Sequence, residues 1–300
     1  MISLRSFLSR ALFSPDERRL RAGWRLLAQA FLLLFLAVAL LLPFLLLSMF
    51  GISFPGSDLL SQELATLFAV TISVYLARRF IDRRSFASLG LQLRPRAGLD
   101  ILVGLVIGGL MMTSIYLLEW SAGWLTFQGF AWSEGTIASV MLQTAQMLVA
   151  FILAGWQEEL ISRGYHLQNL AEGLNLPWGW VLSSLVFALL HLANPGATLL
   201  STLGILAAGL FLGYAYLATR QLWLPIGIHI GWNFFEGVVF GYPVSGYHVF
   251  HLISQQVNGP ALFTGGDFGP EAGLVLLPAL LLGSGLIYLY AHSKYTRVVK

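Results

Sequence analysis

Gly155-Trp156-Gln157-Glu158-Glu159-Leu160-Ile161-Ser162-Arg163-Gly164-Tyr165 is the stretch on which the chain is organised. It closes a run of 22 uncharged residues, 136–157. That run is long enough to cross a bilayer as a helix. Ionised groups at such a place are expensive to bury, and an intramembrane carboxylate is by default a functional candidate. On a helix Glu159 and Arg163 stand at i and i+4, with the acid N-terminal, the favourable order for an ion pair. Glu158 points about 100° away around the same helix and has no such local partner. The spacing therefore predicts a structural pair, Glu159 with Arg163, and leaves Glu158 free for chemistry.

Composition outside this stretch agrees with a membrane setting. The chain has 300 residues, of which 57% are hydrophobic and only 10% charged. A soluble domain carries about 25% charged residues, so the expected class is all-α and polytopic. No cysteine is present, which excludes disulfides, a thiolate nucleophile and a Cys-ligated zinc. The only lysines are Lys294 and Lys300, so no P-loop exists. The net charge of +3 gives no reason to expect nucleic acid.

Apolar runs predict about eight spans, near 26–49, 64–77, 101–118, 136–157, 177–192, 198–219, 223–240 and 272–291. Four segments follow: a basic interfacial arm at 1–25, N-terminal transmembrane helices at 26–134, a core at 135–240, and a segment at 241–300. The last comprises a long loop, the final helix and a basic tail. Leu4, Phe7, Leu8 and Phe13 form the arm's apolar side. The second span is short enough that Arg78 and Arg79 are expected to snorkel outward. The stretches 119–134 and 241–269 are expected to be loops. All 17 basic residues fall on one side of this arrangement. The positive-inside rule then places both termini in the cytoplasm of a multi-pass cell-membrane protein. The sparse charge and absent cysteine lean towards a bacterial inner membrane.

Three spans carry polar groups that burial alone would not select: Glu158-Glu159-x-x-x-Arg163, Phe187-x-x-x-His191 and His229-x-x-x-Asn233. Glu158 lies about as far before the turn near Leu174 as His191 lies after it. An antiparallel hairpin then brings them to one depth. His229 and Asn233 share a helix face, but His229 comes out somewhat shallower by residue count. Its arrival at the same depth stays open. A carboxylate, two imidazoles and a carboxamide suit hydrolysis by an activated water. Glu158 would take the proton and His191 would orient the water. His229 and Asn233 would face the developing oxyanion. Glu236 is read as a network residue, Phe187 as packing, and His166, His248, His251 and His292 receive no role.

These motifs, in this order on consecutive spans, resemble the CAAX-protease and bacteriocin-processing family, which includes the type II CAAX prenyl endopeptidase. The resemblance covers about 135–240 and implies an eight-helix intramembrane glutamic endopeptidase with its core on helices four, five and seven. It implies Glu158 as base, His191 on the water, His229 and Asn233 at the oxyanion, and Glu159 and Arg163 in support. It also implies no metal and no cofactor. Substrates would be membrane peptides or proteins, with a prenylated tail or a bacteriocin-like peptide as precedents. The rival readings are a zinc protease, a proton-coupled transporter, and a non-catalytic immunity or scaffold protein.

Overall fold

A computed structural model describes residues 12–14, 19–49 and 59–294. The apolar side of the arm (Leu4, Phe7, Leu8), most of the first loop and the tail residues Arg297 and Lys300 lie outside the described residues. Among the described residues, eight main helices follow in order: α1 (Ala22–Met49), α2 (Leu59–Leu76), α3 (Ala97–Ser121), α4 (Ile137–Glu159), α5 (Leu176–Leu190), α6 (Leu199–Thr219), α7 (Trp223–Asn233) and α8 (Leu276–Lys294). Among the described residues, seven helices are long and apolar enough to cross a membrane. The exception is α7. It is short, its residues from Leu224 to Asn233 are all buried, and a π-helical turn, Phe234–Val239, prolongs it. The seventh expected span is thus the inner helix of the bundle, shielded from lipid by its neighbours.

Glycine sets where α7 lies. Gly104-x-x-x-Gly108 on α3 meets Gly227-x-x-x-Gly231 on α7. A methyl carbon added at Gly104 would sit 2.5 Å from the Leu224 carbonyl oxygen, and one at Gly231 would sit 2.5 Å from that of Leu105. The two backbones therefore touch. In a bilayer, lipid competes equally for apolar side chains, so close packing of this kind holds helices together.

Each end of the bundle is tied differently. At one end Glu172, beyond α4, receives Arg19 at 3.0 Å, Arg25 at 3.0 Å and also Arg84. Asp82 receives Arg78 at 3.0 Å. Arg78 is 1% exposed, so it turns inward to this pair, against the expectation that it snorkels; Arg79 is exposed. Burial makes an unpaired guanidinium costly, and Asp82 four residues on supplies the partner.

At the other end the expected loops are more ordered than their polarity suggested. Strand β1 (Leu125–Phe130) pairs antiparallel with β2 (Ile253–Val257). Residues 125–128 alternate apolar and polar, but the partner strand lies more than a hundred residues away, so local pattern could not reveal the pairing. Tyr242 donates to buried Glu119 at 2.7 Å. Burial and that carboxylate hold the Tyr242 phenol far above its usual value, so it stays a donor. Glu271 accepts from Trp232 Nε1 at 3.2 Å and from Ser245 Oγ, and Asn194 donates to the Ser245 carbonyl at 3.1 Å. These bonds hold the segment 242–249 over the bundle.

Two outcomes test this packing. Gly231→Ala should lower the melting temperature in detergent, since overpacking costs about 1–3 kcal/mol. Gly98→Ala, with nothing within 4 Å of the added carbon, should leave it unchanged or raise it. Burial raises the Glu271 carboxyl above its ordinary 4.5. The stability this brings is full below that value and is lost as pH rises through the raised one. Melting temperature should therefore fall with rising pH above about 4.5, and Glu271→Gln should flatten the fall.

Candidate active site

The three motifs converge on one cavity of about 540 Å³. Glu158 arrives on the last turn of α4. Directly after Glu159 the helix widens into a π-helical turn, Leu160–His166. A second such turn follows Asn233. Widened turns of this kind occur often at functional positions. His191 follows the last residue of α5, and His229 and Asn233 stand on α7.

The distances carry the argument. Glu158 Oε2 lies 3.8 Å from His191 Nε2 and 3.8 Å from His229 Nε2. A single water can bridge groups at that separation. The depth match between Glu158 and His191 therefore holds, and His229, left open by residue counting, reaches the same point. Asn233 lines the same cavity.

The far nitrogen of each imidazole is occupied. His191 Nδ1 donates to the Phe187 carbonyl at 2.8 Å, because a carbonyl can only accept. His229 Nδ1 meets Glu159 Oε1 at 2.9 Å. Both rings thus present Nε2 to Glu158. Such second bonds fix the tautomer and the ring plane.

Glu159 is therefore more than half of a structural pair. Arg163 Nη1 donates to the same Oε1 at 2.8 Å, and both side chains are buried. Arg163 also donates to the Gly209 carbonyl at 2.9 Å. The i,i+4 spacing predicted the bond to Arg163. It could not reveal the third partner, His229, 70 residues away. Phe187 joins the group from the other side: its ring centre is 4.6 Å from that of His191 and 4.4 Å from the Arg163 guanidinium carbon. Glu236 is fully buried and lies outside the cavity wall.

Two acidic wall residues were not among the sequence candidates. Glu63, read as part of the first loop, lies on α2, and Gln157 Nε2 donates to its carboxylate. Glu271 lines the cavity from the segment before α8. For both, the only available signal was an acid at the edge of an apolar run, 64–77 for Glu63 and 272–291 for Glu271. Among the described residues, the cavity wall holds no lysine or arginine.

Comparison with known proteins follows the same residues. Positions 140–235, about a third of the chain, match the family model described as type II CAAX prenyl endopeptidase, Rce1-like. That segment contains Glu158, Glu159, Arg163, His191, His229 and Asn233. No curated protein and no solved structure matches. Over this core, the multi-pass membrane chain is similar to the type II CAAX prenyl endopeptidase family.

Proposed function

We propose that the chain is an intramembrane endopeptidase that hydrolyses a peptide bond with a water activated by Glu158. The observation that carries this reading is the equal 3.8 Å separation of Glu158 Oε2 from two imidazole Nε2 atoms whose other nitrogens are already engaged. The family match over 140–235 supports a membrane protease of the CAAX type.

In this reading a water sits between Glu158 and the two rings. Glu158 takes one of its protons, and the oxygen attacks the scissile carbonyl. His191 Nε2 accepts the water's other hydrogen and so turns a lone pair towards the carbon. The oxyanion falls to Asn233, whose carboxamide donates in every protonation state. His229 Nε2 donates only when the ring is doubly protonated, a state that the Glu159 carboxylate at its Nδ1 stabilises. Glu158 then passes its proton to the leaving nitrogen, the C–N bond breaks, and hydrolysis is complete. Arg163 holds Glu159 in place through its bond to Oε1. The substrate is a membrane peptide or protein reached from the bilayer. The one-sided distribution of arginine supports cytoplasmic termini.

One observation favours a second reading, hydrolysis by a zinc-bound water. Imidazoles that hand Nδ1–H to a carboxylate or carbonyl and point Nε2 at a common centre are also how metal ligands are held. A chelator separates the two.

The test is cleavage of a quenched peptide library by the purified chain in detergent. Glu158→Gln should lower kcat about 10²–10⁴-fold, with no change on adding chelator. An unchanged rate in Glu158→Gln would sink the mechanism. Inhibition by chelator reversed by zinc would move the site to metal chemistry. Glu159→Gln should keep measurable activity while shifting the pH profile, because an amide replaces the carboxylate at His229. Arg163→Leu leaves Glu159 buried without its cation, so it should cost about 3–5 kcal/mol, read as a fall in melting temperature.

A further inference from the structure

Beside Glu158, the cavity wall includes two further side chains that carry acceptor oxygens, Glu63 and Gln157. Glu63 reaches it from α2, a helix outside the residues 140–235 that carry the family match. Gln157 is 4% exposed and lines the cavity. Its Nε2 is spent on Glu63, and its Oε1 has no hydrogen-bond partner. Glu158 Oε2 has none either. A flipped carboxamide would turn an oxygen towards the Glu63 carboxylate, so the acceptor end is the one left over. Three oxygen-bearing side chains, Glu63, Gln157 and Glu158, thus line one cavity.

The complement of such a wall is a group with several donors and a positive charge. An ammonium offers three donors and a guanidinium five. The rest of the cavity is largely apolar, with Val70, Phe151, Phe187, Phe211, Leu212 and Ile228 among its lining. Among the described residues, no lysine or arginine lines it. Arg163, the nearest buried cation in sequence, is engaged by Glu159 and the Gly209 carbonyl.

We infer that Glu63, with Gln157 Oε1, forms a specificity subsite that receives a cationic side chain, lysine or arginine, from an otherwise apolar substrate segment. The inference rests on the endopeptidase reading and names the substrate class for the same cavity. Glu63 binds the ammonium or guanidinium, and Glu158 keeps its role at the water. An apolar peptide segment alone leaves Gln157 Oε1 unsatisfied, which penalises it relative to the cationic one.

The experiment uses the full chain in non-ionic detergent and matched quenched peptides. Each is an apolar segment carrying lysine or the isosteric norleucine at one position flanking the scissile bond. Binding of the same labelled pair is measured by fluorescence anisotropy on the parent, on Glu63→Gln and on Glu63→Lys. At one flanking position lysine should lower Kd and KM about tenfold or more relative to norleucine in the parent. That ratio should shrink to within about twofold in Glu63→Gln. Glu63→Lys should reverse it in favour of a glutamate peptide, which keeps the test sound if one variant is poorly folded. Equal binding of lysine and norleucine peptides by the parent at every position, or a lysine preference intact in Glu63→Gln, would overturn the subsite. Absence of cleavage by the parent with the binding preference present would instead overturn the endopeptidase reading and leave the subsite standing.

Discussion

The crossing of α3 and α7 is the constraint on which the rest depends. Two helices can approach to backbone contact only where neither carries a side chain, and paired glycines four residues apart on each helix meet that condition. Because α7 is pinned there, its opposite face, with His229 and Asn233, is turned towards α4 and α5. A membrane leaves few other means of achieving this. The hydrophobic effect that collapses a soluble core does not distinguish helix from lipid, so shape and hydrogen bonds decide which helix lies inside.

The site built on that crossing is a ladder of charge. Arg163 balances Glu159, Glu159 holds His229, and His229 with His191 faces Glu158. Each step leaves one fewer free bonding option for the next side chain. Glu159 and Arg163 are fully enclosed, whereas Glu158 keeps 33% of its side-chain surface accessible. The buried pair fixes geometry, and the open carboxylate lines the cavity. Adjacent glutamates thus take different roles because a helix turns them about 100° apart.

Some of this was legible without coordinates. Long uncharged runs revealed the spans, since a bilayer admits only helices or closed barrels. The i,i+4 rule found Glu159 with Arg163, and hairpin arithmetic brought His191 to Glu158. The same tools stopped at Arg78, whose inward pairing with Asp82 looks identical in sequence to a snorkelling arginine. They stopped also at β1 and β2, which depend on a partner far along the chain. Glu63 lay in what the hydropathy pattern described as a loop. The two Gly-x-x-x-Gly motifs raised no expectation in the sequence, and only their facing one another gives them meaning.

By itself, the sequence determined a polytopic helical membrane protein and the three motifs on consecutive spans. These follow from periodicity and from the cost of charge in lipid, both local properties. Tertiary structure alone decided that α7 lies inside, that Glu159 holds His229 as well as Arg163, and that Glu63 and Glu271 line the cavity. Those facts depend on which helix faces meet across distant stretches of chain. No local spacing rule encodes that.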